Sequence, residues 1–400
     1  MIEGARPEVE LVCRCLTPSP DTAGRERLEA LLAEDLDWEF LLEFAGHHGV
    51  LPLVHRRLVG EYGSRIDEAA RSTLVENQQS RTARNLRMAS ALHDLLDRFE
   101  AANVRALPVK GPVLAEAAHG SLSRRAFNDL DIQVHEADVS RALDVMESMG
   151  YEWTVDAPRL DDAALLGGPL TPPLATEYSL WHPDQDVVVE VGWQFGSDPV
   201  SFKPGFETFW ERRESTTVAG RPVPSLSPED RLILLTYHCV KHGCALLKWV
   251  SDVAETVRAT PDLDWPALFR RARDYGTARR LTVGLGVAST LLDVDVPGVS
   301  ARLETDPAAA DLVTEVHDRF VDRPLREFRS IDTVRYHRTA SESLRARVSS
   351  WVFAMPLHPT LAEYRLVSLP SLLHPVYYLL RPLRLFVVYG LVNRLRPERT

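Results

Sequence analysis

An α+β fold, with a small mixed sheet set among helices and helical regions on either side, is what the order of periodicities in this chain predicts. Three observations carry that prediction. The first hundred residues repeat apolar positions at spacings of three and four, as helices do. Between Val104 and Val191 short apolar or alternating runs interleave with helical ones, as small sheets do. From Ser227 onward the spacing is helical again. In 400 residues, 45% hydrophobic and 26% charged content leaves ample material for a buried core.

Leu28, Leu31, Leu32 and Leu36, then Phe40, Leu41 and Phe44, give the first helices, with Asp37 placed to cap the one that Trp38 opens. A long amphipathic helix is expected over 65–100, with Leu74, Leu86, Leu92, Leu95 and Phe99 on its apolar side. Val104 to Val109 reads as a strand, Lys110-Gly111-Pro112 as a turn, and Val113 to Ala118 as a helix. Leu130, Ile132 and Val134 alternate with Asp129, Asp131 and Gln133, so one strand face is apolar and the other carries both carboxylates. Residues 137–149 are helical, Tyr151 to Val155 is a strand, and Glu177 to His182 forms a hairpin with Val187 to Val191 across Pro183-Asp184-Gln185-Asp186. Ser227-Pro228-Glu229-Asp230 opens a helical region reaching about 355. The expected organisation is 1–100 helical, 101–224 the α+β core, 225–355 helical, and 356–400 a tail rich in Arg and Tyr.

A net charge of -11 argues against a partner held by its phosphate backbone. Four cysteines make no disulfide framework in a chain of this length, and Cys13-Arg14-Cys15 has the wrong spacing for a redox pair or a zinc knuckle. No secretory leader opens the sequence, and Leu366 to Leu395 is cut by Pro370, Pro375, Arg381, Pro382 and Arg384, so no spanning helix is expected. A cytoplasmic location follows as the expectation. The tail is locally basic, with Arg381, Arg384, Arg394, Arg396 and Arg399 against Glu398 and with Tyr377, Tyr378, Phe386 and Tyr389 interleaved. It has two readings: helices packed back on the first helical region, or peripheral contact with an anionic membrane surface.

Asp129 and Asp131 put two hard oxygen donors on one strand face, their Cβ atoms roughly 6–7 Å apart. Like charges so placed repel unless a cation lies between them, and Mg2+ (or Mn2+) shared with substrate phosphates is the usual one. The bland alternative is two solvated carboxylates on an edge strand. Glu190, an acidic residue in the apolar run Val187 to Val191, is a candidate third carboxylate, because burying it without a cation is costly. Lys110, which shares the chain with only Lys203, Lys241 and Lys248, precedes Gly111 at a strand end where an ammonium and backbone amides can meet phosphate. Arg125 can add a charge-assisted bond to phosphate, against a solvated loop position.

The runs Leu107 to Glu116, Arg125 to Val134 and Ala142 to Tyr151 resemble the uncharacterised bacterial nucleotidyltransferase family of the DNA polymerase beta-like superfamily. The likeness extends to Asp37-Trp38 and His48 to Leu53 upstream, to His238–His242 and Leu247 to Asp252 downstream, and to His358-Pro359-Thr360, Leu369-Pro370 and Tyr378 to Arg384 in the tail. The resemblance implies a polymerase-beta-like nucleotidyltransferase core and two-metal transfer of NMP from an NTP, ATP among the candidates. In it Asp129 and Asp131 hold both ions and Glu190 serves the one nearer the attacking hydroxyl. Two departures stand out. The entry turn is Lys110-Gly111 where the superfamily has Gly followed by Gly or Ser. Glu190-Val191-Gly192-Trp193 stands where the family has an acidic residue, an apolar one, His and Trp, so the His contact is expected to be empty.

Lys241 and His242 fit a role facing the nucleotide or packing on the core, and His238 with His242 at i, i+4 has a zinc reading that core packing outweighs. No G-x-S-x-G elbow supports a hydrolase. The expected activity is therefore magnesium-dependent transfer to a hydroxyl of an unknown small-molecule, sugar or peptide acceptor, with nucleic acid disfavoured. The alternative is a catalytically drifted nucleotide- or metal-binding accessory protein, for which Gly192 is the main support.

Overall fold

The computed structural model describes residues 4–17, 22–154, 175–196, 202, 204–325, 335–336, 338–342, 359, 361–367 and 369–387. Lys203, Val155, His358, Thr360, the stretch 343–357 and the tail residues Tyr389, Arg394, Arg396, Glu398 and Arg399 lie outside them.

Helices α1 (Pro7–Cys15), α2 (Thr22–Leu31), α3 (Trp38–His47), α4 (Leu51–Tyr62) and α5 (Glu68–Ala101) lead the chain. Asp37 caps α3 by accepting from the Phe40 amide at 3.0 Å, and Asp67 caps α5 in the same way from Ala70. The sheet elements follow as β1 (Ala106–Pro108), α6 (Gly111–Ala117), β2 (Asp129–Val134), α7 (Val139–Ser148), β3 (Glu152–Trp153), β4 (Glu177–His182) and β5 (Val187–Gly192). Next come α8 (Phe206–Trp210) and a hairpin, β6 (Glu214–Val218) with β7 (Arg221–Ser225), that the sequence reading did not anticipate. Pro222 and Pro224 sit inside β7, which runs across the expected core boundary at 224; a two-stranded ribbon tolerates prolines because an edge strand leaves amide positions unpaired. Then α9 (Pro228–Lys241), α10 (Leu247–Ala259), α11 (Trp265–Tyr275), α12 (Ala278–Leu292), α13 (Val299–Thr305) and α14 (Pro307–Asp322) form the second helical region, and α15 (Leu361–Leu366) and α16 (Tyr377–Leu385) lie in the tail.

The sheet has the order β1-β2-β5-β4-β3, with β2 and β5 parallel and every other pair antiparallel. A parallel pair needs a crossover, and α7, β3 and β4 supply it.

The apolar interior divides in two. Leu11, Leu28, Leu41, Phe44 and Leu58 of the leading helices share one core with Leu232, Val250, Leu281 and Val316 of the second helical region. The far half of α5 (Met88, Leu92, Leu95, Phe99) packs instead with Leu130, Ile132, Val189 and Met146 around the sheet. Leu74 belongs to the first core, so α5 runs through both. Leu86 departs from expectation at 52% exposure, because the buried stripe of α5 passes through Asn85, Met88, Ala89 and Leu92, one position to the side.

Candidate active site

The pleat of β2 buries Leu130, Ile132 and Val134 and leaves Asp129, Asp131 and Gln133 half-buried on the opposite face. On parallel β5 the register places Val188 beside Asp129, Glu190 beside Asp131 and Gly192 beside Gln133. Three carboxylates thus share one face, and Ser179 of β4 flanks Glu190 on its far side.

The turn after β1 crosses the same face. The Val109 amide donates to the Asp131 carbonyl at 3.0 Å, Lys110 follows, and its Nζ lies 2.9 Å from Asp131 Oδ1. Gly111 has φ +56, and a Cβ there would stand 3.3 Å from the Asp129 carbonyl oxygen. A glycine is needed both for the left-handed backbone and for this close approach.

Two more lysines converge from the second helical region. Lys241 ends α9, where Glu177 and Glu190 act on it, and Lys248 opens α10, where Asp129 acts on it. Lys248 is set by the first helical region: its amide donates to the His48 carbonyl at 3.1 Å, and a Cβ on Gly49 would come within 3.0 Å of its stem. Two motifs nearly 200 residues apart in sequence therefore touch and aim this ammonium.

The electrostatics are unbalanced in both directions. Burial, then the like charge of Asp131, raises the Asp129 carboxyl. Burial, then Asp131, Glu177 and Asp129, lifts Glu190 to about 7. Burial lowers Lys241, and burial with the charge of Arg125 lowers Lys248. Burial opposes the Lys110 charge too, but Asp131 outweighs it and the ammonium is held above its ordinary value. The carboxylate face would bind a cation more comfortably, and the lysine rim an anion.

Arg125 is not on a solvated loop. It is buried, with Nε and Nη2 donating to the two oxygens of Asp252 in α10 at 2.7 and 2.8 Å, while His119 Nε2 lies 3.0 Å from the same carboxylate. Its side-chain Nη1 finds no partner among the described residues. Asn85 fixes the loop by donating to the Leu122 and Arg125 carbonyls at 2.6 and 3.1 Å. Asp252 answers a buried guanidinium, and the pair ties α10 to the loop entering β2.

His238 and His242 pack with Trp249, with ring centroids 4.7 to 5.3 Å apart, which supports packing over zinc. Burial, then Lys110, drives His238 well below its ordinary value, which keeps it neutral. All four cysteines are buried and free.

The space beside Gly192 is filled. A Cβ there would lie 2.4 Å from Gln133 Nε2, so the β2 glutamine occupies the room that the expected histidine would take. The buried Gln133 Oε1 has no partner among the described residues.

Among the described residues no three His, Cys, Asp or Glu side chains stand close enough to hold a metal ion as they are. The donor chemistry nonetheless fits a hard divalent cation: Asp129, Asp131 and Glu190 are oxygen donors on one face, two have raised carboxyls, and the Lys110 ammonium already stands on Asp131 as a cation. Sequence reasoning did not assign Lys248, Asp252, His119, Glu177 or Gln133 to the site. Lys248 and Asp252 are four apart on one face of α10, a signal the chain offered.

Residues 34–293 match a family described as uncharacterised nucleotidyltransferase. No curated protein matches the chain. Among solved structures it is similar to the solution structure of the antibiotic-resistance factor ANT(2'')-Ia, at 15% identity over 57% of this chain and 97% of that one, with a TM-score of 0.27. A superposition that loose says nothing further about this chain. Among the described residues no helix is long and apolar enough to cross a membrane.

Proposed function

The chain belongs to that family of uncharacterised nucleotidyltransferases, and from this premise we propose that it transfers an NMP unit from an NTP to a hydroxyl of an acceptor on the face shared by β2 and β5. The observation that carries the reading is the register of Asp131 with Glu190, which puts the third carboxylate beside the Asp129-Asp131 pair. The finer reading of the fold, a polymerase-beta-like core over 101–224 with helical regions on either side, belongs to the same proposal. It draws on the mixed sheet and its carboxylate-bearing parallel pair.

In the proposed reaction the acceptor oxygen forms a bond to the α-phosphorus, the bond from that phosphorus to the bridging oxygen breaks, pyrophosphate leaves, and the hydroxyl gives up its proton to solvent. Asp129, Asp131 and Glu190 would hold Mg2+ or Mn2+, which when bound stabilises charge on the attacking and leaving oxygens. Lys110, Lys241 and Lys248 meet the triphosphate, and burial makes each ammonium a stronger partner for it than in water. Arg125, held by Asp252, keeps the entry to β2 in place. His242 and Trp249 offer ring surface beside the lysines for the base. The acceptor proposed is a small molecule, sugar or peptide.

Label carried from an α-labelled NTP to acceptor in the presence of Mg2+ tests the reading. Asp129→Asn and Asp131→Asn should each lower it more than about a hundredfold. Undiminished transfer in either variant would remove the carboxylate face from the mechanism.

A second reading, an accessory protein that binds nucleotide without turnover, is favoured by the Lys110 ammonium on Asp131. It predicts that NTP stabilises wild type while no label moves under any condition.

A further inference from the structure

The tail carries an amphipathic helix turned inside out. In α16 and the turns that flank it, Val376, Leu379, Leu383, Phe386 and Val387 are between 38% and 73% exposed, with Leu379 and Phe386 the most exposed at 73% and 70%. At about 100° per residue these positions fall within one apolar stripe. The opposite side of the helix is the one that faces protein. Tyr377 is buried and donates to the Val367 carbonyl at 2.8 Å, and Arg381 and Arg384 reach the fully buried Glu363 of α15 at 3.3 and 2.5 Å. Tyr364 of α15 in turn packs on the sheet core. The polar side is therefore the anchor and the apolar side the free surface, the reverse of a helix that covers a globular core.

Charge says what would cover it. From Tyr377 to Thr400 the sequence holds five arginines and one glutamate in a chain whose net charge is -11, and with Arg381 and Arg384 held by Glu363 the rest of the segment still sets Arg394, Arg396 and Arg399 against Glu398. An apolar stripe set in a locally basic segment is complementary to a surface that is apolar beneath and anionic above. We propose that this helix docks the protein onto an anionic phospholipid bilayer, lying in the interface with Leu379, Leu383 and Phe386 inserted. The inference stands apart from the transfer reaction and does not depend on it.

The experiment is co-sedimentation of the full chain with vesicles of phosphatidylcholine alone and of phosphatidylcholine with phosphatidylglycerol, for wild type and for Leu379→Glu/Leu383→Glu. Both side chains are exposed, so the variant should keep the wild-type circular dichroism and melting midpoint. The expected result is about tenfold more wild type bound to the anionic vesicles, with binding reduced by added salt and lost in the variant. Binding that the variant retains would overturn the proposal, because some other surface would then be responsible. Absence of binding together with a concentration-dependent dimer that the variant abolishes would also overturn it, and would make a second copy of the chain the occupant.

Discussion

Asp131 and Glu190 are register partners across the parallel pair of β2 and β5, and Lys110 stands 2.9 Å from the first of them. A carboxylate beside another carboxylate, with Lys110 the one ammonium in ion-pair contact with either among the described residues, leaves excess negative charge at the centre of a half-buried face. That excess has measurable consequences.

Glu190 titrates near 4.5 in an unfolded chain and near 7 in the fold, raised by burial and by Asp131, Glu177 and Asp129. Between those values the folded protein holds a proton the unfolded chain has released, so stability falls as pH rises from about 4.5 to about 7 and levels off above. Glu190→Gln should make that slope shallower and raise the melting midpoint at pH 8 by roughly 2 °C, with little change at pH 4.5. Melting curves across this range check it, and an unchanged slope in the variant would contradict it.

The lysines give effects of opposite sign. Burial lowers Lys241 and Lys248, so each charge costs the empty protein stability at neutral pH. Lys241→Met and Lys248→Met should each hold or raise the melting midpoint while weakening NTP binding about tenfold, measured by calorimetry. A variant that binds NTP as tightly as wild type would take that lysine out of the phosphate site.

Asp252→Asn leaves the buried Arg125 guanidinium without its charge partner and should cost about 3–5 kcal/mol in denaturant unfolding. Arg125 holds the Asp252 carboxyl well below the ordinary carboxylate range, despite burial. The pair therefore contributes at neutral pH and is lost only in strong acid, so the cost should be constant from pH 8 down to about pH 5.

Gly192→Ala brings a methyl to within 2.4 Å of the end of the Gln133 side chain, which can swing aside. The expected cost is about 1 kcal/mol or less, and Gln133→Ala in the same chain should cancel it. Additive losses in the double variant would show that the two positions are not coupled.

Much of the fold was legible because it rests on local chemistry. Asp37, Ser227 and the alternation through Asp129 to Val134 each predict an element from a few neighbouring residues, and each element forms. The β6–β7 hairpin was hidden because prolines at 222 and 224 read as breakers. Leu86 was misplaced by a single helix position. In the site, the strand period put Asp129 and Asp131 on one face, whereas the partnership of Asp131 with Glu190 depends on the register of strands far apart in sequence. The burial of Arg125 was hidden for a related reason: its partner Asp252 lies 127 residues away. The same distance problem hid Lys248, whose position depends on His48 and Gly49.

Joint binding of a nucleoside triphosphate and a divalent ion on the carboxylate face can be read by melting wild type and Asp129→Asn/Asp131→Asn against each NTP with and without Mg2+. An NTP should raise the wild-type midpoint only when Mg2+ is present and leave the double variant unmoved, since ligand binding stabilises the native state by mass action. An NTP that stabilises both proteins alike, or wild type equally without Mg2+, would contradict it.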